Sequence, residues 1–343
     1  MRLAVFGAGS VGCYIGGRLA VAGAQITLIG RDRIGAEVAA NGLRLSDYTG
    51  FSAHLPEITF ALDAAAVAGC EAVLVCVKSQ DSAAAAKALR PHLDPKPVVI
   101  SFQNGVSNAA TLAGGLNRAV VPGMVGFNVA AQGQGRFHQG TQGDLHIQTD
   151  PRLSAIRPVF DAAGLGLITH ADMRPVLWAK LMLNLNNAVN ALANVPLRDQ
   201  VLQRDFRLCL ALAQEEMLAL ARIAGLPAMA RLSPLPASFI PRVLRLPTPL
   251  FRTVARSMLR IDPVARSSMS DDLALGREPE VAWINGEVVR LAESLGRDAP
   301  VNRRLQALVF DAARAPMRPT WQARDLLAEL RGELRGDLHG ITP

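Results

Sequence analysis

After Met1 and Arg2 the chain reads Leu3-Ala4-Val5-Phe6-Gly7-Ala8-Gly9-Ser10-Val11-Gly12. Four apolar residues form a short buried-strand pattern, the glycines follow with the spacing GxGxxG, and helical spacing then continues to about residue 20. In such a strand–turn–helix unit the first glycine turns the chain, the second lets the backbone approach a pyrophosphate, and the third allows the helix to pack closely on the strand. The anion binds the N–H groups at the start of the helix. We therefore predict a dinucleotide-binding loop at Gly7, Ala8, Gly9, Ser10, Val11 and Gly12.

The residues after this unit support the dinucleotide interpretation over its alternative, a glycine-rich tight turn that binds no ligand. A second strand is predicted at Gln25–Ile29, and Gly30-Arg31-Asp32 follows it. An acid in this region binds the ribose hydroxyls of NAD, whereas an arginine suits the 2′-phosphate of NADP, because a guanidinium binds phosphate through two hydrogen bonds. Arg31 therefore favours NADP. A solvated loop charge is the alternative.

Two further predicted strands end in polar residues. Residues 72–77 form an apolar run that stops at Lys78, and residues 98–101 lead to Asn104-Gly105. The carboxyl ends of parallel strands form the edge at which such sheets bind their ligands, so both side chains are candidates for binding. The alternatives are a solvated strand end for Lys78 and a simple turn for Asn104. Alternating strand and helix patterns to about residue 170 predict a doubly wound parallel sheet.

The second half of the chain has helical periodicity with few strand signals, which predicts a mostly helical domain. Lys180, Asn184 and Asn187 are spaced four and three residues apart, so we expect them on one helical face. Lys180 is the only lysine after residue 96. Arginine does not exchange a proton near neutral pH, whereas a desolvated lysine does, so this position is a candidate proton donor. A buried polar network that fixes a pair of helices is the alternative.

Two more candidates lie farther along the chain. Ser268 is a candidate for binding a substrate carboxylate, and Glu280 for binding a hydroxyl. The alternatives are a helix cap for the adjacent serines Ser267 and Ser268, and an acid in the first turn of a helix for Glu280. None of the six histidines stands in a polar motif at helical spacing, and we assign a role to none.

The composition bounds the class of protein. The chain has 343 residues, half of them apolar, which excludes disorder and predicts two domains. Its four cysteines contain no CxxC pair and join no histidine cluster, so we expect no metal site and a reduced, cytoplasmic protein. We read no signal peptide, and no apolar run reaches the ~18 residues of a membrane helix.

The positive charge of the chain is concentrated in one segment. The formal net charge is +7, and residues 227–266 contain seven arginines against one aspartate. Seven prolines in the same segment exclude a single unbroken helix. Because the rest of the chain is nearly neutral, nucleic acid is a less favoured partner than an oligomer contact. The segment is also a candidate for a positive rim that attracts an anionic cofactor and substrate.

These elements, modest singly and specific together, resemble the ketopantoate reductase family over about residues 1–312. The resemblance implies an N-terminal Rossmann-type doubly wound parallel sheet at 1–172 and a C-terminal all-helical domain at 173–314. Beyond the resemblance, Leu/Arg/Glu helical spacing at 326–331 predicts a tail helix at 315–343. It implies NADPH-dependent reduction of ketopantoate (2-dehydropantoate) to pantoate on the route to pantothenate and coenzyme A. The elements that carry it are Gly7-Ala8-Gly9-Ser10-Val11-Gly12, Arg31, Lys78, Gln103-Asn104-Gly105, Lys180-x-x-x-Asn184, Ser268-Met269 and Glu280-x-x-x-Ile284-Asn285-Gly286.

The resemblance also implies roles for single residues. Lys180 would be the general acid that protonates the carbonyl oxygen as hydride arrives, and Glu280 would lie near the nicotinamide and the substrate. The nucleotide loop, Arg31 and Lys78 would hold NADP, whereas Asn104 would contact both cofactor and substrate. Asn184 would bind the substrate, and Ser268 its carboxylate.

The chain departs from the family pattern in the helix that would bind the substrate. The family commonly has a second asparagine eight residues after the lysine, where this chain has Ala188, with Asn187 one position earlier. We take Asn187 as the substrate-binding residue. Two alternatives stay open: an NADP-dependent reductase of another 2-keto or 3-keto acid, and a non-catalytic NADP-sensing regulator. The expected partners are a small keto acid and a second copy in a homodimer, without nucleic acid or membrane.

Overall fold

The structure is a computed structural model that describes residues 1–256, 259 and 264–336. The rest of the Arg/Pro-rich segment 227–266, and residues 337–343 of the expected tail helix, lie outside the described residues. The chain divides into two units, Met1–Met173 and Arg174–Pro343. The second unit includes the described part of the tail.

The first unit contains two β-sheets. The larger sheet has eight strands in the order β12-β11-β8-β7-β6-β1-β2-β5, and the smaller has four in the order β4-β3-β10-β9. Neighbours in the larger sheet are parallel, except that β11 runs antiparallel to β8. In chain order the strands are β1 (Arg2–Phe6), β2 (Gln25–Ile29), β3 (Leu43–Asp47), β4 (Ser52–Leu55), β5 (Thr59–Ala61), β6 (Ala72–Val75), β7 (Val98–Phe102), β8 (Val120–Val125), β9 (Val129–Gly133), β10 (Arg136–Gln139), β11 (Leu145–Gln148) and β12 (Leu167–His170).

Helices cover both faces of the larger sheet, because its central strands are mostly apolar and present alternate residues to opposite sides. Val5 of β1 belongs to one buried cluster, which includes residues of α1 and of the smaller sheet. Ala4 belongs to a second buried cluster, formed with α3 and α4. The helices of this unit are α1 (Ser10–Val21), α2 (Asp32–Asn41), α3 (Ser82–Leu89), α4 (Asn108–Leu116) and α5 (Arg157–Ala162).

The described part of the second unit is built of helices. The 20-residue helix α9 contacts α7, α8, α10, α13, α14 and α15. The helices are α6 (Arg174–Asn184), α7 (Asn186–Ala193), α8 (Leu197–Leu202), α9 (Arg204–Ile223), α10 (Ile240–Leu244), α11 (Thr248–Val254), α12 (Ser268–Ala274), α13 (Asn285–Ser294), α14 (Pro300–Arg314) and α15 (Ala323–Gly336). The predicted fold class, a doubly wound parallel sheet followed by a helical domain, is confirmed.

The described part of the Arg/Pro-rich segment is anchored to α9 by a fully buried arginine. The Arg207 guanidinium donates to the carbonyl oxygens of Leu244 at 3.1 Å and Leu246 at 2.9 Å, and it lies 4.2 Å from the centre of the Phe251 ring. The prolines divide this part of the chain into short helices, as expected.

None of the described helices combines the length and the low charge that crossing a bilayer requires.

Candidate active site

Main-chain hydrogen bonds hold the loop between β1 and α1, which we call the nucleotide loop (residues 7–12). The amides of Gly7 and Ala8 both donate to the carbonyl oxygen of Ile29 at 2.9 Å. Gly7 has φ +108°, and a Cβ built there would lie 2.5 Å from the amide nitrogen of Val77. A side chain at this position would be strained by the backbone and would also clash with the chain after β6, so the turn requires glycine.

The nucleotide loop fits a dinucleotide at its second and third glycines. A Cβ at Gly9 would meet no atom within 4 Å, so the residue faces open space, whereas a Cβ at Gly12 would lie 2.3 Å from the carbonyl oxygen of Gly7. Gly9 is the N-cap of α1, and it has no side chain to cap the helix. Backbone N–H groups at an uncapped helix start, beside open space, suit a phosphate.

Arg31 lies at the end of β2, next to the nucleotide loop in the sheet. Its side chain is 88% exposed, and its Nη2 atom lies 3.5 Å from Oδ2 of Asp81. Such an exposed pair contributes little to stability, so the guanidinium can be recruited by a phosphate at small cost. Asp32 lies in the first turn of α2, where its charge is favourable.

Lys78 and Asn104 follow two neighbouring strands, β6 and β7, at the carboxyl edge of the sheet. Both residues are partly buried. Lys78 precedes a short 3₁₀ helix, and its carbonyl oxygen accepts from the amide of Asp81 at 2.9 Å. The carbonyl oxygen of Asn104 accepts from the Ser79 hydroxyl at 2.8 Å. The structure therefore brings these two segments into direct contact, and the Gly7 position packs against the first of them.

Lys180 lies in the last two turns of α6, between buried residues. Its own side chain is partly buried, and burial lowers the pKa of its ammonium group. A lysine whose charge is destabilised by desolvation releases a proton more readily than an exposed one. This is the property that a general acid needs near neutral pH.

The helix that carries Lys180 is shorter than expected. It ends at Asn184, and α7 begins at Asn186, so Asn187 lies on a second helix. Leu185 joins the two helices in a helical conformation, and its amide donates to the carbonyl oxygen of Leu181 at 3.0 Å, so the shared face of Lys180, Asn184 and Asn187 stays a prediction. Lys180 and Asn184 remain one helical turn apart on α6. The side chains of Asn184 and Asn187 are both partly buried.

Side chains join α7 to α12 at a contact that we call the α7–α12 junction (Asn187, Asn190, Ser267, Ser270 and Arg318). The Oδ1 atom of the buried Asn190 accepts from the amide of Ser267 at 2.9 Å, and the Ser267 hydroxyl donates to the carbonyl oxygen of Asn187 at 3.3 Å. Ser267 is also the N-cap of α12, where its hydroxyl accepts from the amide of Ser270 at 3.2 Å. The capping alternative thus applies to Ser267, whereas Ser268 lies exposed as the first residue of the helix.

Arg318 completes the α7–α12 junction from the segment before α15. Its guanidinium donates to the carbonyl oxygen of Ser270 at 3.1 Å and to the Ser270 hydroxyl at 2.9 Å. It also donates to the carbonyl oxygen of Ala191 on α7. These contacts could not be predicted from the sequence, because Arg318 is one of many arginines and lies about 50 residues from α12 along the chain.

Glu280 is the first residue of a short 3₁₀ helix, Glu280–Trp283, and is partly buried. Glu280 therefore lies in the first turn of a helix, which is the alternative interpretation of this residue. The next helix, α13, begins at the buried Asn285, whose Nδ2 donates to Oδ1 of Asn302 at 3.0 Å. Glu216 in turn accepts from the side chain of Asn302 at 2.7 Å. These amides fix the helix that follows Glu280.

The described residues contain no group of three or more His, Cys, Asp or Glu side chains placed to hold a metal ion. Burial raises the pKa of the Cys76 and Cys209 thiols to about 12, so both are neutral at physiological pH. His146 and His170, to which we assigned no role, form a hydrogen bond of 2.9 Å with each other on the neighbouring strands β11 and β12.

The chain matches two models of one known protein family. Residues 3–152 match the family model described as ketopantoate reductase PanE/ApbA, and residues 172–312 match the model of its C-terminal part. The chain belongs to the ketopantoate reductase family. The predicted resemblance is confirmed, and family membership makes the chain an oxidoreductase that uses a pyridine nucleotide.

Relatives within the ketopantoate reductase family match nearly the whole chain. A 2-dehydropantoate 2-reductase from Halobacterium salinarum is 29% identical over 330 residues, which cover 92% of this chain and 99% of the relative. The crystal structure of a PanE/ApbA family ketopantoate reductase from Ralstonia eutropha JMP134 is 32% identical with a TM-score of 0.78, and covers 96% of this chain and 100% of that one. A dimeric ketopantoate reductase from Staphylococcus aureus has a TM-score of 0.67 at 16% identity, covering 91% of this chain and 98% of that one, and shows the fold alone.

Proposed function

We propose that the protein reduces ketopantoate to pantoate with NADPH, as a step toward pantothenate and coenzyme A. The observation that carries this proposal is the partly buried Lys180, whose pKa is lowered by burial, one helical turn from Asn184. An ammonium group stabilises the developing alkoxide and also supplies its proton. A protein that only senses NADP needs the nucleotide loop but no such proton donor.

The first unit supplies the cofactor site in this proposal. The N–H groups at the start of α1 bind the pyrophosphate, Arg31 binds the 2′-phosphate, and Lys78 and Asn104 hold the cofactor from the carboxyl edge of the sheet. When bound, NADPH supplies the hydride that reduces the 2-keto carbon. Support comes from the open space at Gly9 and the exposed guanidinium of Arg31.

The second unit supplies the residues that bind the keto acid. Lys180 donates its proton to the carbonyl oxygen, Asn184 and Asn187 orient the substrate, and the exposed Ser268 at the start of α12 binds its carboxylate. Asn104 is a further proposed substrate residue. The N-terminus of a helix favours an anion, which supports the assignment of Ser268. We assign Glu280 to the neighbourhood of the nicotinamide and the substrate, in agreement with its partial burial.

An assay of coenzyme oxidation tests the proposed reaction. NADPH and NADH are each offered with ketopantoate and a panel of 2-keto and 3-keto acids. We expect the highest kcat/KM for ketopantoate with NADPH. Equal kcat/KM values across the panel would contradict the proposed substrate, and no turnover of any keto acid with tight NADPH binding would favour the sensing alternative.

The choice of coenzyme has its own test at Arg31. Arg31→Ala should lower the ratio of kcat/KM for NADPH over NADH by about tenfold, which corresponds to one lost charged contact of about 1.4 kcal/mol. Arg33→Ala is the matched control, because Arg33 is also an exposed arginine of this segment but is paired with Glu37 at 2.8 Å. An unchanged ratio in Arg31→Ala would contradict the role of Arg31.

A second candidate function is the reduction of another 2-keto or 3-keto acid by the same machinery. It is favoured by Ala188, which is fully buried where the family commonly has an asparagine. This substitution lies in the segment that would orient the substrate. The keto acid panel separates the two candidates.

We further propose that the protein is a homodimer in the cytoplasm. The four cysteines are free thiols, which suits a reducing compartment. Exposed apolar residues beside arginines in the Arg/Pro-rich segment, among them Leu250 and Val254, support a contact between copies. Measurement of the molar mass in solution tests the dimer, and a monomer at micromolar concentration would contradict it.

A further inference from the structure

Four buried polar side chains lie together at the carboxyl ends of β6 and β7. We call this cluster the edge network (Ser79, Ser82, Gln103 and Asn108). Their exposure is 7% or less, and two of them, Ser79 and Ser82, are completely buried. Burying a polar side chain costs free energy unless the side chain is hydrogen-bonded. A buried network in which these hydrogen bonds are made favours a single geometry.

Asn108 is the centre of the edge network. Its Nδ2 donates to the carbonyl oxygen of Asn104 and to the Ser79 hydroxyl, the latter at 3.2 Å. Its Oδ1 accepts from the Ser82 hydroxyl at 2.9 Å. The Ser79 hydroxyl itself donates to the same carbonyl oxygen of Asn104 at 2.8 Å. Two buried donors therefore converge on one main-chain oxygen.

Gln103 extends the edge network to the end of β6. Its Nε2 donates to the Ser82 hydroxyl at 2.8 Å and to the carbonyl oxygen of Val77 at 3.1 Å. Its Oε1 accepts from the Ser101 hydroxyl at 2.8 Å. The segments on either side of Lys78 are thus joined to the segments on either side of Asn104 by side chains.

The position of Asn104 needs such support because the strands no longer hold it. Strand β7 ends at Phe102, and Gly105 has φ +92°. The chain therefore turns within three residues of the last residue that is paired in the sheet. Two donors on the Asn104 carbonyl oxygen fix the plane of the peptide that follows its Cα, and this backbone orientation limits the directions in which the Asn104 side chain points.

We propose that the edge network acts as one positioning unit, which joins the Lys78 segment to Asn104 and holds Asn104 in the geometry that binds cofactor and substrate. This inference rests on the proposed function of Asn104. The residues of the network do not contact the reacting atoms themselves. They act through Asn104, so their effect on catalysis must disappear when the Asn104 side chain is absent.

A double-mutant cycle tests this dependence. Ser79→Ala removes one donor to the Asn104 carbonyl oxygen, and Asn108→Ala removes the other. We expect kcat/KM for ketopantoate to fall about tenfold in Ser79→Ala and up to about 100-fold in Asn108→Ala, since a misplacement of about 1 Å has effects of this size. In an Asn104→Ala background the same two changes should alter kcat/KM less than about twofold, although they still lower the melting temperature.

A matched control distinguishes positioning from general loss of stability. Arg118→Met removes the guanidinium that donates to the carbonyl oxygens of Asp94, Pro95 and Pro97 at the opposite end of β7, each at 2.7 Å. It should lower the melting temperature and leave kcat/KM unchanged. If Ser79→Ala lowers kcat/KM equally with and without the Asn104 side chain, or if Arg118→Met lowers it as much, the edge network has only a structural role.

Direct measurement of NADPH binding to the same variants separates this inference from the proposed function. NADPH binding to each variant is measured by fluorescence titration, which requires no turnover. If the wild-type protein reduces no keto acid, the proposed function fails, and the binding cycle still tests the edge network. Nucleotide affinity that is unchanged within about twofold in both Ser79→Ala and Asn108→Ala, with unchanged kcat/KM wherever turnover is seen, would overturn the inference.

Discussion

The nucleotide loop of the first unit and the α7–α12 junction of the second are held by different kinds of contact. In the nucleotide loop, the amides of Gly7 and Ala8 bond to a main-chain oxygen, and space is made by the lack of side chains. In the junction, the side chains of Asn190, Ser267 and Arg318 make the bonds.

This difference determines which substitutions damage each region. Adding a methyl group damages a loop built from the main chain, whereas removing an amide or a guanidinium damages a junction built from side chains. The proposed roles follow the same division, because the loop binds the nucleotide and the helices near the junction bind the keto acid and donate the proton. The four predictions below test this division, starting with the largest effect.

The largest effect is expected at Lys180. Lys180→Ala should lower kcat by about 10²–10⁴-fold, the usual contribution of a general acid. The Kd for NADPH should stay within about twofold of the wild-type value, because the nucleotide loop belongs to the other unit. Steady-state kinetics and fluorescence titration measure the two quantities. Undiminished ketopantoate reduction would contradict the role of Lys180.

The next effect is expected at two glycines of the nucleotide loop. Gly9→Ala should weaken NADPH binding at least about tenfold, or about 1.4 kcal/mol, because the methyl group enters the open space, while the unfolding free energy changes by less than about 0.5 kcal/mol. Gly12→Ala should cost about 1–3 kcal/mol of stability, because its Cβ meets the carbonyl oxygen of Gly7. Denaturant titration separates the two variants. Equal losses of stability in both would show that Gly9 faces no ligand space.

The pH dependence of turnover is the third test. A general acid must be protonated when reduction begins, so kcat for reduction should fall up to tenfold per pH unit as pH rises through the pKa of Lys180. Because burial lowers this pKa, the fall should begin below the pH at which an exposed lysine deprotonates. Pantoate oxidation requires the neutral amine and should rise with pH over the same interval. The residual activity of Lys180→Met serves as the control, and an identical decline in that variant would assign the proton to another group.

The smallest effect is expected at the α7–α12 junction. Asn190→Ala leaves the amide of Ser267 and the carbonyl oxygen of Val195 without their partner, which should cost about 1–3 kcal/mol of stability. We expect the KM for the keto acid to rise several-fold, because Ser268 follows the displaced residue, with an unchanged Kd for NADPH.

Gln200→Ala provides the control for this junction. Gln200 is equally buried, and its Nε2 donates to Oδ1 of Asn186 at the start of α7 at 2.7 Å. It should lose stability without a change in KM. A rise in KM of the same size in both variants would mean that any disturbance of α7 affects the substrate.

The sequence predicted the first unit well where continuous apolar strands and glycine spacing determine the structure. Strand β2 has the predicted bounds, Gln25–Ile29. The apolar run of β6 was expected to continue to residue 77, but the strand ends at Val75 because the chain turns where it passes Gly7. The smaller sheet was not predicted, since short strands such as Ser52–Leu55 carry too few alternating residues to be recognised.

The second unit was less predictable in detail, because side chains from distant parts of the chain determine it. The break between α6 and α7 has no glycine or proline to mark it. Adjacent serines left open which of Ser267 and Ser268 caps α12, and only the structure assigns the cap to Ser267. The edge network of the first unit was not predicted either, because the packing of β6 against β7 brings Ser79 to Asn104.

Arg318 ties the last described segment of the chain to the α7–α12 junction. The match to the family model ends at residue 312. Arg318 lies beyond this residue and donates hydrogen bonds to both α7 and α12. The amide of Trp321 likewise bonds to the carbonyl oxygen of Leu192 on α7 at 2.9 Å, and Leu326 and Leu330 of α15 are completely buried. A stretch beyond the matched range is thus part of the fold next to the helix that begins at Ser268. Under the proposed function, a substitution in this stretch would change the recognition of the keto acid without altering any residue proposed to contact it.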